Sequence, residues 1–468
     1  MKHLACLVLA VAGCGGARGP AKVTHPVDLP IATPASTGDP QPTAVTGAGV
    51  LLVVTGYSGT RDDITLADLT RDYCSGKIGV LEEVRVAANA RFGCTARPGL
   101  ATLQAFLPTA KATKAALLVT DLAHVTNQFK AVKVDGVSFF ETPATYPLVL
   151  VAQGDTPPNF APHLTHFILT GVTAISRATG AAVDQHGIDW LTRNLRPHFT
   201  DAKYVHISNE VSLKDDCTYP VSGTYSFCTK ERDYQALVDL RANVIELTGN
   251  HTRDFGDEPF KKSLEWYKAH GMATFGGGLT PTAANEPVIL ALADGKQLGI
   301  IGFNEKCPLK ECAVKTFEVG ANAYDAAKAR AAIARMRREL GADFVMVTVQ
   351  FKEWDNAKPT ESQAAISRQL IEDGADMVYG SQAHQLQVME FYKGKPIFHG
   401  LGNFLFDQIH RIGVRQAYFV HNYFFEGRLV QSVPVFTFMS DERQPTLATP
   451  AQAAEMKALI YQDALLYE

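Results

Sequence analysis

The residues best suited to chemistry stand at the ends of short apolar runs. Asn209-Glu210 follows Tyr204–Ile207, and Asn250-His251 with Asp254 follows Val244–Leu247. Gln350-Phe351-Lys352-Glu353 follows Phe344–Val349, and His384 comes after Met377–Tyr379. Carboxylate, carboxamide and imidazole groups hold divalent ions or carry protons, and loops after strands are where a fold can converge them. Each has a purely structural reading too. Asn250 could cap a turn, His251 and Asp254 could be a local hydrogen-bonded pair, Asn403 could organise a loop, and Glu353 could be a solvated acid. Other chemistries are excluded: the chain contains no Gly-x-Ser-x-Gly elbow and no His-Glu-x-x-His helix. Gly276-Gly277-Gly278 lacks a following Gly-Lys-Ser/Thr, so it is a structural turn and not a phosphate cradle.

The elements that must position these groups alternate in type. Strands read at His166–Leu169, Tyr204–Ile207, Val244–Leu247, Gln297–Phe303, Phe344–Val349, Met377–Tyr379 and Pro396–Phe398. Helices read at Asp257–His270, near Ala326–Leu340 and at Glu361–Glu372, the last closed by Gly374. This alternation indicates a layered α/β fold over residues 163–468. Pro157, Pro158 and Pro162 mark its boundary with a smaller α/β domain at 48–157. That domain opens on the buried-strand run Val50–Thr55 and a helix over Ile64–Leu69, capped by Thr65 or Asp63.

The ordered motif set resembles the CapA, or poly-γ-glutamate capsule-synthesis, family of the calcineurin-like metallophosphoesterase superfamily. The resemblance runs over about residues 165–410. It rests on Gly171-Val172 with Ser176-Arg177, Asn209-Glu210, Thr248-Gly249-Asn250-His251 with Asp254, Gln350-Phe351-Lys352, Gly380 to His384, and Gly402-Asn403-Phe404. It implies a layered β-sandwich flanked by helices. It also implies Glu210, Asn250, His384 and Asn209 as metal ligands, His251 with Asp254 as the catalytic pair, and Arg177, Gln350, Glu353 and Asn403 in the pocket. The departures matter as much. Val172 replaces an expected Asp, Gln350 an expected His, and Ser381-Gln382 stand where further histidines are expected. The surviving set suits one divalent ion such as Mn or Zn, or an unmetallated polar cleft, in place of a dinuclear centre. Within 48–157, Thr65–Leu69, Ser75–Ile78, Val134–Ser138 and Tyr146–Leu148 resemble solute-binding proteins of the phosphate-binding type.

The N-terminus indicates where this chemistry is displayed. Met1-Lys2-His3, the apolar Leu4–Val11 and Ala12-Gly13-Cys14 read as an export signal over 1–14, ending in a lipobox with Cys14 acylated. Residues 15–47, rich in Gly, Pro, Ala and Thr, read as a flexible tether. The expected location is the cell envelope, lipid-anchored, on the outer membrane in a Gram-negative cell. The remaining cysteines fall in close pairs, Cys74 with Cys94, Cys217 with Cys228 and Cys307 with Cys312, and local disulfides are the simplest arrangement. Zinc is the competing reading, weakened by the lack of Cys-x-x-Cys. A net charge of −4 with no basic stripe excludes nucleic acid as the expected partner. The basic helix near Ala326–Leu340 reads as a solvated face, with a site for an acidic polymer as the alternative. Three functions follow: a capsule or exopolymer accessory protein working with a membrane synthase, a metal-dependent hydrolase of phosphoesters or polymer amides, or a solute receptor using 48–157.

Overall fold

The computed structural model describes residues 46–95, 98–221, 225–307, 312–315 and 318–462. The expected signal, Cys14 and nearly all of the tether lie outside the described residues.

The first ordered unit forms around the strand Leu51–Gly56, buried along its whole length as its unbroken apolar run requires. It pairs antiparallel with Leu118–Asp121 on one side and Phe129–Ala131 on the other, and Gly79–Val80 adds a parallel edge. The helix Leu66–Cys74 starts at Thr65, whose hydroxyl accepts from the Asp68 N–H, so Thr65 rather than Asp63 is the cap. A disulfide from Cys74 to Cys94 ties this helix to the end of the helix Arg85–Phe92. The unit's apolar core is continuous with Tyr423, Phe425 and Val430 of the C-terminal strands, so it packs directly on the larger body.

The larger body is two sheets face to face. Among the described residues, a nine-stranded sheet centres on Val244–Glu246, Tyr204–Asn209 and Leu164–Leu169, and a six-stranded sheet on Gln297–Asn304, Phe344–Gln350 and Met377–Ser381. Side chains alternate across each strand. Phe167 and Leu169 meet Ile300, Met346 and Tyr379 between the sheets. Ile168, Val205, Ile207 and Ile245 turn outward beneath Leu191, Phe260 and Tyr267 of the first helical layer. Ile301, Val345 and Val347 lie beneath Ile333, Met336 and Leu370 of the second. The result is a helix–sheet–sheet–helix sandwich.

The expected strands are found, six of the seven longer by one or two residues and Val244–Glu246 shorter by one. The helices occupy Asp257–Ala269, Ala326–Arg338 and Glu361–Glu372, and Asp325 and Thr360 cap the last two. The basic helix spends its charge on neighbours: Arg330 pairs with Asp373, Arg335 with Glu286, and Arg337 with Asp376. A long hairpin, Gln416–Phe425 with Arg428–Met439, completes the nine-stranded sheet and is absent from the strands read above. Its turn consists of Glu426 and Gly427, both at positive φ, the geometry that matches strand twist in a two-residue hairpin. Cys217 and Cys228, and Cys307 and Cys312, are disulfide-bonded, which displaces the zinc reading of these cysteines.

Candidate functional site

In each sheet the central strands run parallel, and their carboxyl ends open on one cleft. Glu210 leaves Tyr204–Asn209, Asn250 and His251 follow Val244–Glu246, Gln350 ends Phe344–Gln350, and Gln382 and His384 follow Met377–Ser381. Two glycines allow the loops to approach so closely. A Cβ on Gly171 would collide with the Gly402 carbonyl, and one on Gly249 would lie 2.6 Å from the Glu210 Cα.

Gln350 is the hub. It is fully buried, and its side-chain nitrogen donates to Asn250 Oδ1 at 2.7 Å, to Glu210 Oε1 at 3.1 Å and to Gln382 Oε1. An amide nitrogen carries only two protons, so these oxygens share them. Among the described residues, the other oxygen of Glu210 and the amide oxygen of Gln350 have no partner in this buried setting. Burial pushes the Glu210 carboxyl up to about 7, partly opposed by His251 and Lys306. The acid is therefore substantially protonated at neutral pH.

The two histidines are held differently. His251 Nδ1 lies 2.8 Å from Asp254 Oδ2, which also accepts from the Phe227 backbone N–H at 2.6 Å. His384 Nδ1 lies 2.8 Å from Asn403 Oδ1, and Asn403 in turn donates to the carbonyls of His384 and Val414. Asn403 is thus a positioning residue for His384 as well as a loop organiser. Burial pushes His384 down to about 4, so its imidazole is neutral at physiological pH. Planar groups connect the two rings. Phe227 lies against His251 at 4.0 Å, the Arg177 guanidinium sits 4.2 Å over Phe227 and 5.3 Å over Phe406, and Phe406 stacks on His384 at 4.9 Å. Arg177 is also paired with Asp407.

Arg177, Gln382 and His384 all adopt positive φ, at 45°, 81° and 54°. Left-handed geometry in non-glycine residues is costly and gathers at functional sites. Below the cleft, His206 and Thr248 bond the two oxygens of fully buried Glu246, and Asn304 donates to the Thr248 carbonyl. This polar layer fixes the loop that carries Asn250.

Glu210, Asn250, His251, Asp254, Gln350, Glu353, His384, Arg177 and Asn403 therefore belong to one cleft and its walls. Asn209 does not. It is the last residue of its strand, and alternation turns its amide to Val211 O and the hydroxyls of Tyr234 and Tyr267, away from Glu210. The cation beside the cleft is Lys306, 2.9 Å from Glu353, whereas Lys352 is exposed and faces Glu305. Burial works against the Glu353 charge, but the bonded Lys306 holds its pKa below the usual value. Lys306 and Phe227 escaped the sequence reading, and Gln382 was read only as a lost ligand. Gln382 sat between motif residues, Lys306 follows a strand with no motif, and Phe227 acts through the Cys217–Cys228 loop.

Gln350 competes with a divalent metal for the donor set. The oxygens of Glu210, Asn250 and Gln382 that would face an ion accept N–H bonds from Gln350 instead. Among the described residues, no group of three or more His, Cys, Asp or Glu is arranged to hold one.

The family model for the bacterial capsule synthesis protein PGA_cap matches residues 166–408, just over half the chain. The chain belongs to this family. The PGA_cap region contains every cleft residue named above. The chain is 26% identical to the capsule biosynthesis protein CapA of Bacillus anthracis over 246 residues, covering 51% of this chain and 59% of that one. It is also 26% identical to the PGA biosynthesis protein CapA of Bacillus subtilis, covering 51% of this chain and 62% of that one. It thus spans about three fifths of the length of these two relatives. Among solved structures, TT1561 of Thermus thermophilus is similar at TM-score 0.32 and 9% identity, over 58% of this chain and 98% of that one. The sulfate thiohydrolase SoxB of Thermus thermophilus is similar at TM-score 0.33 and 13% identity, over 62% of this chain and 46% of that one. The PGA_cap match covers most of the layered sandwich described above.

Proposed function

We propose that this chain is a lipid-anchored envelope protein that supports synthesis or export of a capsule or exopolymer such as poly-γ-glutamate, working beside a membrane synthase. In this reading the cleft binds polymer and need not cleave it. One observation carries the reading: a PGA_cap cleft in which the Gln350 amide donates into the oxygens of Glu210, Asn250 and Gln382. Such a cleft offers an Arg–aromatic wall, a neutral His384 and carboxamides, groups that suit amide and carboxylate ligands. Deleting the gene in the host should reduce surface polymer in amount or length. Unchanged polymer in both respects would sink the reading. Anchoring is tested separately: Cys14→Ser should move the protein from the membrane fraction to the soluble one.

A metal-dependent hydrolase is the second reading. Its support is the convergence of Glu210, Asn250, His251 and His384, with His251 backed by Asp254 as a proton carrier would be. Elemental analysis of the purified protein separates the two. Well under one bound divalent ion per chain, with no phosphoesterase or amidase activity after Mn or Zn addition, removes it.

A further inference from the structure

A cavity of about 470 Å³ lies where the first unit, the C-terminal hairpin and the helix Pro450–Ile460 meet, and it shares no lining residue with the cleft. We propose that it binds a short aliphatic dicarboxylate. The charge is the first argument. Among the described residues, Lys114, Lys130 and Lys457 line this cavity with Asp62 as the lone acid. That leaves an excess of positive charge matching a dianion. Lys130 donates to the Gly59 carbonyl at 2.8 Å and to Asp62, which leaves one of its three protons for a ligand. Lys457 stands 3.8 Å from Asp62, an ion pair beyond hydrogen-bond length. Lys114 donates to the Ser58 hydroxyl at 2.7 Å, fixing its ammonium at the rim.

Desolvation is the second argument. Lys130 is largely buried, and that burial lowers its pKa in spite of the opposing pull of Asp62. A buried cation that one shared carboxylate neutralises incompletely gains from an incoming anion. The walls are the third. Val433, Pro434, Ala454 and Ala458 line the cavity, with Tyr57 and Tyr461 packed edge to face at 5.5 Å. Apolar walls with few convergent cations suit a hydrocarbon chain bearing two carboxylates. The backbone N–H groups of Tyr57, Gly59 and Thr60 on this wall donate to the carbonyls of Gln128, Gly56 and Lys114, so they do not form the N–H cradle typical of an inorganic phosphate site.

The test is titration calorimetry on the full chain with glutarate, its monoamide and inorganic phosphate, repeated with Lys457→Gln and Lys130→Met. Lys457 is partly exposed, so its replacement leaves the fold intact, which a melt without ligand verifies. Saturable glutarate binding should weaken about tenfold or more for the monoamide and for either lysine variant, as expected when a charge-assisted contact is lost. It should also weaken with added salt. The proposal is overturned by no saturable glutarate binding, by equal affinity for the monoamide, by equal affinity in Lys457→Gln, or by phosphate binding as tightly as glutarate.

Discussion

Gln350 gives the cleft its polarity by putting N–H donors where oxygens converge. Replacing it with Leu leaves the inward oxygens of Glu210, Asn250 and Gln382 without those donors. Each buried group that loses its partner costs about 1–3 kcal/mol, so Gln350→Leu should lose about 3 kcal/mol in urea denaturation. A variant as stable as the parent would show that the amide is not the hub. Glu210 gives a second prediction, in pH. Its folded pKa, about 7, lies above its ordinary value of 4.5, so the folded state holds the proton more tightly. Stability from this group is fully present below about 4.5 and is lost as pH rises toward 7. Glu210→Gln cannot ionise. It should match the parent near pH 4 and exceed it above pH 7 by up to about 3 kcal/mol. A stability difference that does not change with pH would rule out the raised carboxyl.

The disulfides act at the scale of elements. Cys74–Cys94 closes a loop of sequence separation 20 between two helices of the first unit. Replacing both cysteines with Ser should cost about 3 kcal/mol in the chain-entropy model, read as a lower urea midpoint under oxidising conditions. The Cys217–Cys228 bridge has a further effect, because Phe227 lies against both His251 and Arg177. The strands themselves were legible because a continuous apolar run of fixed length is a local property. Tyr204–Asn209 and Phe344–Gln350 differ from the runs read in sequence only at their ends. The C-terminal hairpin was not legible. Its strand Arg428–Met439 carries Gln431, Ser432 and Thr437 buried by tertiary contacts, which blurs the pattern, and Glu426-Gly427 is an unmarked turn.

At the scale of the whole molecule, the first unit and the sandwich meet beside half-buried histidines. His166 Nε2 lies 2.7 Å from His421 Nδ1, and the His166 ring stacks on Tyr423 at 4.6 Å. Burial pushes His166 down to about 4 and His421 to about 3, the latter also repelled by His166 and His198. The unfolded chain therefore takes up protons first. Stability is lost as pH falls below the ordinary value of 6.5 toward these lowered values. Urea midpoints should drop between about pH 7 and pH 4.5, with His421→Phe cutting the loss by roughly 2 kcal/mol. A variant with the parent's pH dependence would remove the pair as the cause.

The sequence by itself determined the layered α/β class, the family resemblance over about 165–410, the close spacing that favours local cysteine pairs and the departures at Val172, Gln350 and Ser381. These depend on periodicity, spacing and residue identity, which are local or ordered along the chain. Only the tertiary structure decided what the departures did. Asn209 and Glu210 are neighbours in sequence, yet strand alternation sends one to buried tyrosine hydroxyls and the other into the cleft. Gln350 reads in sequence as a lost ligand, and in three dimensions it is a donor to oxygens 100 and 140 residues away. No local pattern encodes a hydrogen bond across that separation, because its geometry is set by how two sheets pack.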